Sequence, residues 1–303
     1  MYFCNARIRH ASRRTAYQGG TFCLYRLIIY TNPPLSTTTL IANLKTDSLS
    51  VNDENFAEDF LSNVSYFRFN AYLRPFEDVN GSIRFKPNAT FDKAVALYLF
   101  DAEFRNLLFS AIQLVEISLR SKTQVSDLER AFSPPFLNPK LESKIINQFS
   151  LAHGAFGFID STMAIDKHKY SENLSTLERE LSRSKDDFIQ EHYDKYGRED
   201  SPPAWKLLDL TSFGTLTKLY FTFADRRVKK AIARSYGVPQ HEILESWTKA
   251  VNTLRNSCAH HNRVWNRIMP VMPQIPLILR NAWISSRPNN SNRLYAVLYA
   301  LFF

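Results

Sequence analysis

The 303-residue chain is 45% hydrophobic and carries 23 Phe and 14 Tyr, enough apolar material for one large domain or two intimately packed ones. Only 8 glycines argue against turn-rich sandwiches and barrels, and the lack of a G-x-G-x-x-G or Walker-type phosphate loop argues against a nucleotide-binding enzyme. A net charge of +9 and a pI near 9.4 favour a polyanionic partner such as RNA, DNA or an anionic surface, while no run reaches the roughly 18 apolar residues of a membrane span.

Residues 1–29 carry Arg7, Arg9, Arg13, Arg14 and Arg26 with no acid before Asp47, the superficial pattern of a transit peptide. Two of the three cysteines, Cys4 and Cys23, fall in this leader. Cys258 is then alone in the body, no disulfide framework is available, and a reducing cytoplasm is the expected compartment. Residues 30–89 read as a small aromatic-rich helical subdomain. Ser36 caps a short helix around 37–45, and a second helix runs from Asp53 to Phe69 into Tyr66-Phe67-Arg68-Phe69-Asn70-Ala71-Tyr72-Leu73-Arg74. Aromatics interleaved with arginine can stack unpaired bases and hold phosphates, so Tyr66, Arg68 and Tyr72 are candidate RNA contacts; core packing with snorkelling arginines is the other reading. Asn80-Gly81 marks a turn between two short strands.

From Phe91 to about Gln124 the pattern predicts one long helix, with Val95, Leu99, Leu107, Leu108, Ala111, Ile112, Val115 and Leu119 on a single buried face. Glu116 and Arg120, four apart, make an ordinary surface pair on it. A polar insertion of about 125–200, with a charged run from Glu178 to Glu191, is expected to hold exposed helices and loops that decorate an RNA contact or a dimer. Pro202-Pro203-Ala204-Trp205 restarts the core. Gly214 signals close packing or a helix start capped by Ser212, and Gly237 before Pro239 fits the residue just past a helix end. The basic residues of 225–270, Arg226 and Arg227 among them, make a positive region that either draws an RNA backbone or is a solvated helix end.

The densest chemistry is Leu254-Arg255-Asn256-Ser257-Cys258-Ala259-His260-His261-Asn262-Arg263-Val264-Trp265-Asn266-Arg267. Metal-free RNA cleavage needs a base for the 2′-OH and cations for the phosphorane. An imidazole suits the first, and positioned acid-base help is worth roughly 10²–10⁴ in rate; a guanidinium fork suits the second. On a helix, Arg255 and His260 are separated by about 7.5 Å of rise and about 140° of rotation, whereas Asn256 and His260 share a face. The assignment is therefore His260 as acid or base, Arg255 as phosphate clamp and Asn256 as orienting amide. His261 is either a further catalytic part or a residue that caps the helix. Arg263 and Arg267 are phosphate contacts or locks to a neighbouring helix, and Trp265 is structural. Cys258 keeps register with Leu244, Trp247, Val251 and Leu254, which makes it a core residue. With no second Cys/His pair nearby, neither a metal nor a cofactor is expected.

Arg255, Asn256 and His260 match the R-N-x3-H signature of HEPN ribonucleases. With Ser246-Trp247 before them and His261 to Arg267 after, they resemble the Abi family of bacterial abortive-infection proteins (AbiD/AbiF-like). Similar blocks lie at 66–76, at 99–120 and at 210–220, and the likeness starts near Tyr30. It therefore marks residues 1–29 as a misplaced start or a disordered leader. Asn292 to Phe303 resembles the opening of a late family helix, so a truncated C-terminus is expected. The resemblance implies an all-α, HEPN-like helical bundle over 90–303. It also implies a phage-defence or toxin-like ribonuclease acting on RNA as a homodimer, and Glu116 in support of the motif helix. The competing class is a non-catalytic RNA-binding or antitoxin-like protein on the same bundle.

Overall fold

The computed structural model describes residues 34–78, 84–120, 154–276 and 293–302. The leader with Cys4 and Cys23, the Asn80-Gly81 turn, the first part of the polar insertion and the final Phe303 lie outside the described residues. Within them the fold is all-α: helices connected by loops, with isolated bridges and no named strand. The Asp78 N–H donates to the Arg84 carbonyl at 2.8 Å and Glu77 forms an isolated bridge with Phe85, in place of the two short strands expected there.

Local side chains start most of the helices. Ser36 caps α1 (Thr37–Thr46) and Asp53 caps α2 (Glu54–Asn63) by accepting from backbone N–H groups. The single helix expected over 53–69 is instead two. Val64 leaves the helix in an extended conformation and Ser65 restarts it, capping α3 (Tyr66–Leu73). The apolar period runs through this break because both pieces pack on one core, which periodicity alone cannot distinguish from a continuous rod. A short 3₁₀ turn, Arg74–Phe76, ends the segment.

α4 (Phe91–Arg120) is a 30-residue helix shared by two buried clusters. One gathers Ile41, Leu44, Leu61, Phe69, Leu73, Phe91 and Val95 from α1 to α3 and the start of α4. The other begins at Leu108 and takes in side chains from most of the helices that follow. Two expected core residues of α4 are on the outside: Leu99 is 52% and Leu107 71% exposed. Apolar residues surround this helix, so several stripes fit a period of 3.6, and the one that is buried runs through Ala94, Asp101, Arg105, Leu108, Ile112 and Leu119.

α5 (Lys167–Arg183) and α6 (Asp187–Tyr196) follow. Tyr170 and Leu177 of α5 are buried in the second cluster, so this part of the polar stretch supports the core as well as presenting charges to solvent. α7 (Ala204–Leu210) leads to α8 (Phe213–Thr222), where Ser212 accepts from the Thr215 N–H at 3.1 Å. α9 (Arg226–Ser235) ends at Gly237, whose φ of +68° turns the chain toward the next helix. α10 (His241–Ala259) is the hub, packed by α4, α8, α9 and α11 (Leu294–Phe302). Its Leu244, Trp247, Val251, Leu254 and Cys258 are all buried. Trp247 donates its indole N–H to the Gln274 carbonyl at 2.7 Å and meets Tyr299 edge to face at 5.8 Å.

Burial pushes the Cys258 thiol up to about 11; nearby Arg105 opposes the rise and Asp101 adds to it. Roughly one thiol in a thousand is then ionised at pH 8, and the thiolate is the reactive form. Maleimide labelling of the folded protein at pH 8, read by peptide mass, is expected to spare Cys258 and to modify it on unfolding. Rapid labelling of the native chain would contradict its place in the core.

Candidate functional site

The R-N-x3-H segment lies at the C-terminal end of α10, and the way this helix stops determines what it presents. His260 is the capping residue, and His261 follows in the left-handed region with φ +54°. The His261 N–H donates to the Cys258 carbonyl at 3.0 Å, and the Asn262 N–H to the Ser257 carbonyl at 2.8 Å. This pair of bonds is a Schellman closure, in which the left-handed position usually belongs to glycine. Histidine there is strained, at a cost on the order of 1–3 kcal/mol. Both imidazoles are exposed. His261 is thus the helix-ending residue by its backbone, while its side chain stands beside that of His260 in sequence and in solvent.

Arg255 and Asn256 lie one turn back. Arg255 is 31% exposed, and its Nε is 3.6 Å from Oε2 of Glu116, an ion-pair distance beyond hydrogen bonding. Its guanidinium carbon is 5.9 Å from the centre of the Phe109 ring. Its Nη1 reaches the Asn256 Oδ1 at 3.5 Å. Glu116 and Phe109 both come from α4, so this helix orients the arginine that sequence reasoning singled out. The expected Glu116–Arg120 surface pair involves a side chain outside those described.

The loop after the helix is held from below by one carboxylate. Asp101 is fully buried, yet its oxygens accept from the Val264 N–H at 3.2 and 3.3 Å and from the Trp265 N–H at 2.7 Å. The Tyr72 hydroxyl donates to it at 2.6 Å, and the buried Arg105 guanidinium forms a close ion pair with it. Burial raises the Tyr72 phenol well above its ordinary range, and the hydrogen bond to Asp101 raises it further. Around this anchor, Arg68 donates to the His261 carbonyl, Arg263 to the Ala71 carbonyl at 3.0 Å and Arg267 to the Ser257 hydroxyl at 3.3 Å. Burial lowers the Arg263 guanidinium from its ordinary value; Tyr72 opposes this, and Arg74 and Arg267 are close enough to be felt.

The expected site residues therefore divide. Arg255, Asn256, Glu116, His260, His261, Arg263, Arg267 and Arg68 gather around the end of α10. Tyr72 does not serve as a stacking surface: it is 1% exposed and its ring belongs to the core beneath the loop. Tyr66 is half-buried, and its hydroxyl accepts from Arg84 at 3.3 Å. Arg226 and Arg227 are exposed at the start of α9, away from the motif. The same helix pairs Lys229 with Glu245 at 2.9 Å, and Glu245 is ten residues before Arg255, about 15 Å along the axis. Sequence reasoning missed Asp101, which had a signal, because Asp101 and Arg105 stand four apart in register with Leu108 and Ile112, a charged pair on the buried stripe.

A model of the Abi-like protein family matches residues 59–266, well over half of the chain, a span that takes in Asp101, Glu116, Arg255, His260 and His261. The chain belongs to the Abi-like protein family. Neither the curated proteins nor the solved structures gave a match. Membership suggests abortive infection, that is, phage defence in general.

Two expectations follow for this Abi-like site. Asp101→Ala strands a buried guanidinium and two backbone donors, so urea unfolding should show a loss of about 3–5 kcal/mol, part of it recovered by adding Arg105→Met. A change within about 0.5 kcal/mol, the range of ordinary surface substitutions, would mean the carboxylate is not an anchor. His261→Gly relieves the left-handed strain and should stabilise by about 0.5–1 kcal/mol, whereas His261→Ala should not.

Proposed function

We infer that this Abi-like chain is a metal-independent endoribonuclease of the HEPN kind, acting in abortive infection as a dimer. The observation that carries this reading is an arginine held by Glu116 one helical turn before two exposed imidazoles, in a chain whose family is already associated with phage defence. The nucleophile is the substrate's own 2′-OH. His260 removes its proton as the oxygen attacks the adjacent phosphorus, the 5′-oxygen leaves with a proton from a second imidazole, and a 2′,3′-cyclic phosphate remains. Arg255 balances the charge gathering on the phosphorane, for which a planar fork is better matched than an ammonium. His261, or His260 of a second copy, provides the second imidazole.

A dimer gains support from α4. Leu99, Phe100, Leu107 and Ile117 are exposed apolar side chains on the face of α4 turned away from its buried stripe. Burying such side chains between two copies removes apolar surface from water at about 25 cal/mol per Å².

The test is incubation of the purified chain with single-stranded RNA in EDTA, with products analysed for cyclic phosphate. Wild type should cut, and Arg255→Ala and His260→Ala should each lower the rate by roughly 10²–10⁴ with the unfolding midpoint unchanged. Arg255→Lys should not restore it. Variants that fold and cut at the wild-type rate would remove these residues from the chemistry. Tight RNA binding with no product from the wild type would instead favour a non-catalytic RNA-binding protein.

A further inference from the structure

Phe67 is 93% exposed, the most exposed of the large apolar side chains among the described residues. Leaving a phenylalanine in water forgoes roughly 1.5–3 kcal/mol of burial. The other aromatics of α3 do not do so: Phe69 and Tyr72 are core residues and Tyr66 is half-buried. Local charge identifies what can cover the ring. The next residue, Arg68, donates to the His261 carbonyl beside the motif. By helical spacing Phe67 shares a face with Ala71, whose carbonyl holds Arg263, and with Arg74, which is within electrostatic reach of Arg263. Covering this ring with an apolar protein surface would also strip water from the guanidiniums around it, which is costly without anionic partners. An unpaired nucleotide has both parts of what this surface asks for, a flat base for the ring and a phosphate for the arginines. A duplex does not, since its bases are already stacked on one another.

We propose that Phe67 is a base-stacking residue, holding an unpaired nucleobase of single-stranded RNA while Arg68, Arg74 and Arg263 take the adjoining phosphates beside His260 and His261. The inference rests on the ribonuclease reading for its substrate class and adds the part of the RNA that is held and the residue that selects single strands over duplex.

The experiment measures binding of a 2′-O-methyl single-stranded oligonucleotide containing one 2-aminopurine, together with its duplex, so that cleavage does not enter. Stacking on the ring should quench the 2-aminopurine on binding. Phe67→Ala should weaken single-strand affinity by roughly 5- to 150-fold and abolish the quench, Phe67→Trp should restore both, and duplex affinity should change little in either. The side chain is exposed, so unchanged unfolding midpoints are expected and serve as the control. If Phe67→Ala binds the single strand as wild type does while the Arg68→Ala/Arg263→Ala pair binds weakly, the stacking role is overturned and the RNA reading stands. Loss of self-association in Phe67→Ala with RNA affinity intact would also overturn it, in favour of a protein contact. A wild type that binds neither single strand nor duplex overturns the RNA reading and this inference with it.

Discussion

The loop that follows α10 depends on a carboxylate that water does not reach. Asp101 gathers Tyr72 from α3, Arg105 from its own helix and two backbone N–H groups from the loop at Val264 and Trp265. A buried charge is tolerated only when its partners are complete, and each of these partners would itself be a liability if Asp101 were gone. The cluster is consequently all or nothing. It resists partial rearrangement, and that is what a loop carrying reactive side chains requires of the structure beneath it.

Its position along α4 matters as much as its chemistry. Val95 belongs to the first apolar cluster and Leu108 to the second, with Asp101 and Arg105 between them. Apolar contact is non-directional, so two greasy patches on one helix do not by themselves specify how α3 and α10 should line up. Hydrogen bonds of fixed length do. The Arg68–His261 and Arg263–Ala71 bonds, running in opposite directions between α3 and the loop, hold the same alignment from the outer side.

Much of this could be read in the chain beforehand, and the failures have identifiable causes. The helical fold, the Ser36, Ser212 and Gly237 boundaries and the buried stripe of α10 follow from local chemistry and a 3.6-residue period, both of which survive folding unchanged. The motif residues were visible as a composition no core needs. Glu116 beside the motif helix was expected only through the family resemblance; what could not be read were other partners far along the chain, that Tyr72 would turn inward to Asp101 or that Phe67 would face out while Phe69 went in. In an aromatic-rich segment the residue types hardly differ, and only the packed neighbours decide which ring is wet. The same holds for α4, where Leu99 and Leu107 look as buriable as Leu108. Charge alone is equivocal in a different way, because Arg226 and Arg227 are close to the motif along the chain but lie toward the other half of α10 in space.

The bonds that finish the end of α10 join residues 163 and 193 positions apart. Contacts of that span close late, after long loops have been brought together, and a chain made from its N-terminus has its first 260 residues in place before any of them can form. The left-handed turn at His261 is itself unfavourable until those contacts hold it. A ribosome synthesising this protein therefore carries α3 and α4 long before it carries a finished site. Whatever the histidines act on is first met only after α10 and its loop have been made and have docked onto α3 and α4.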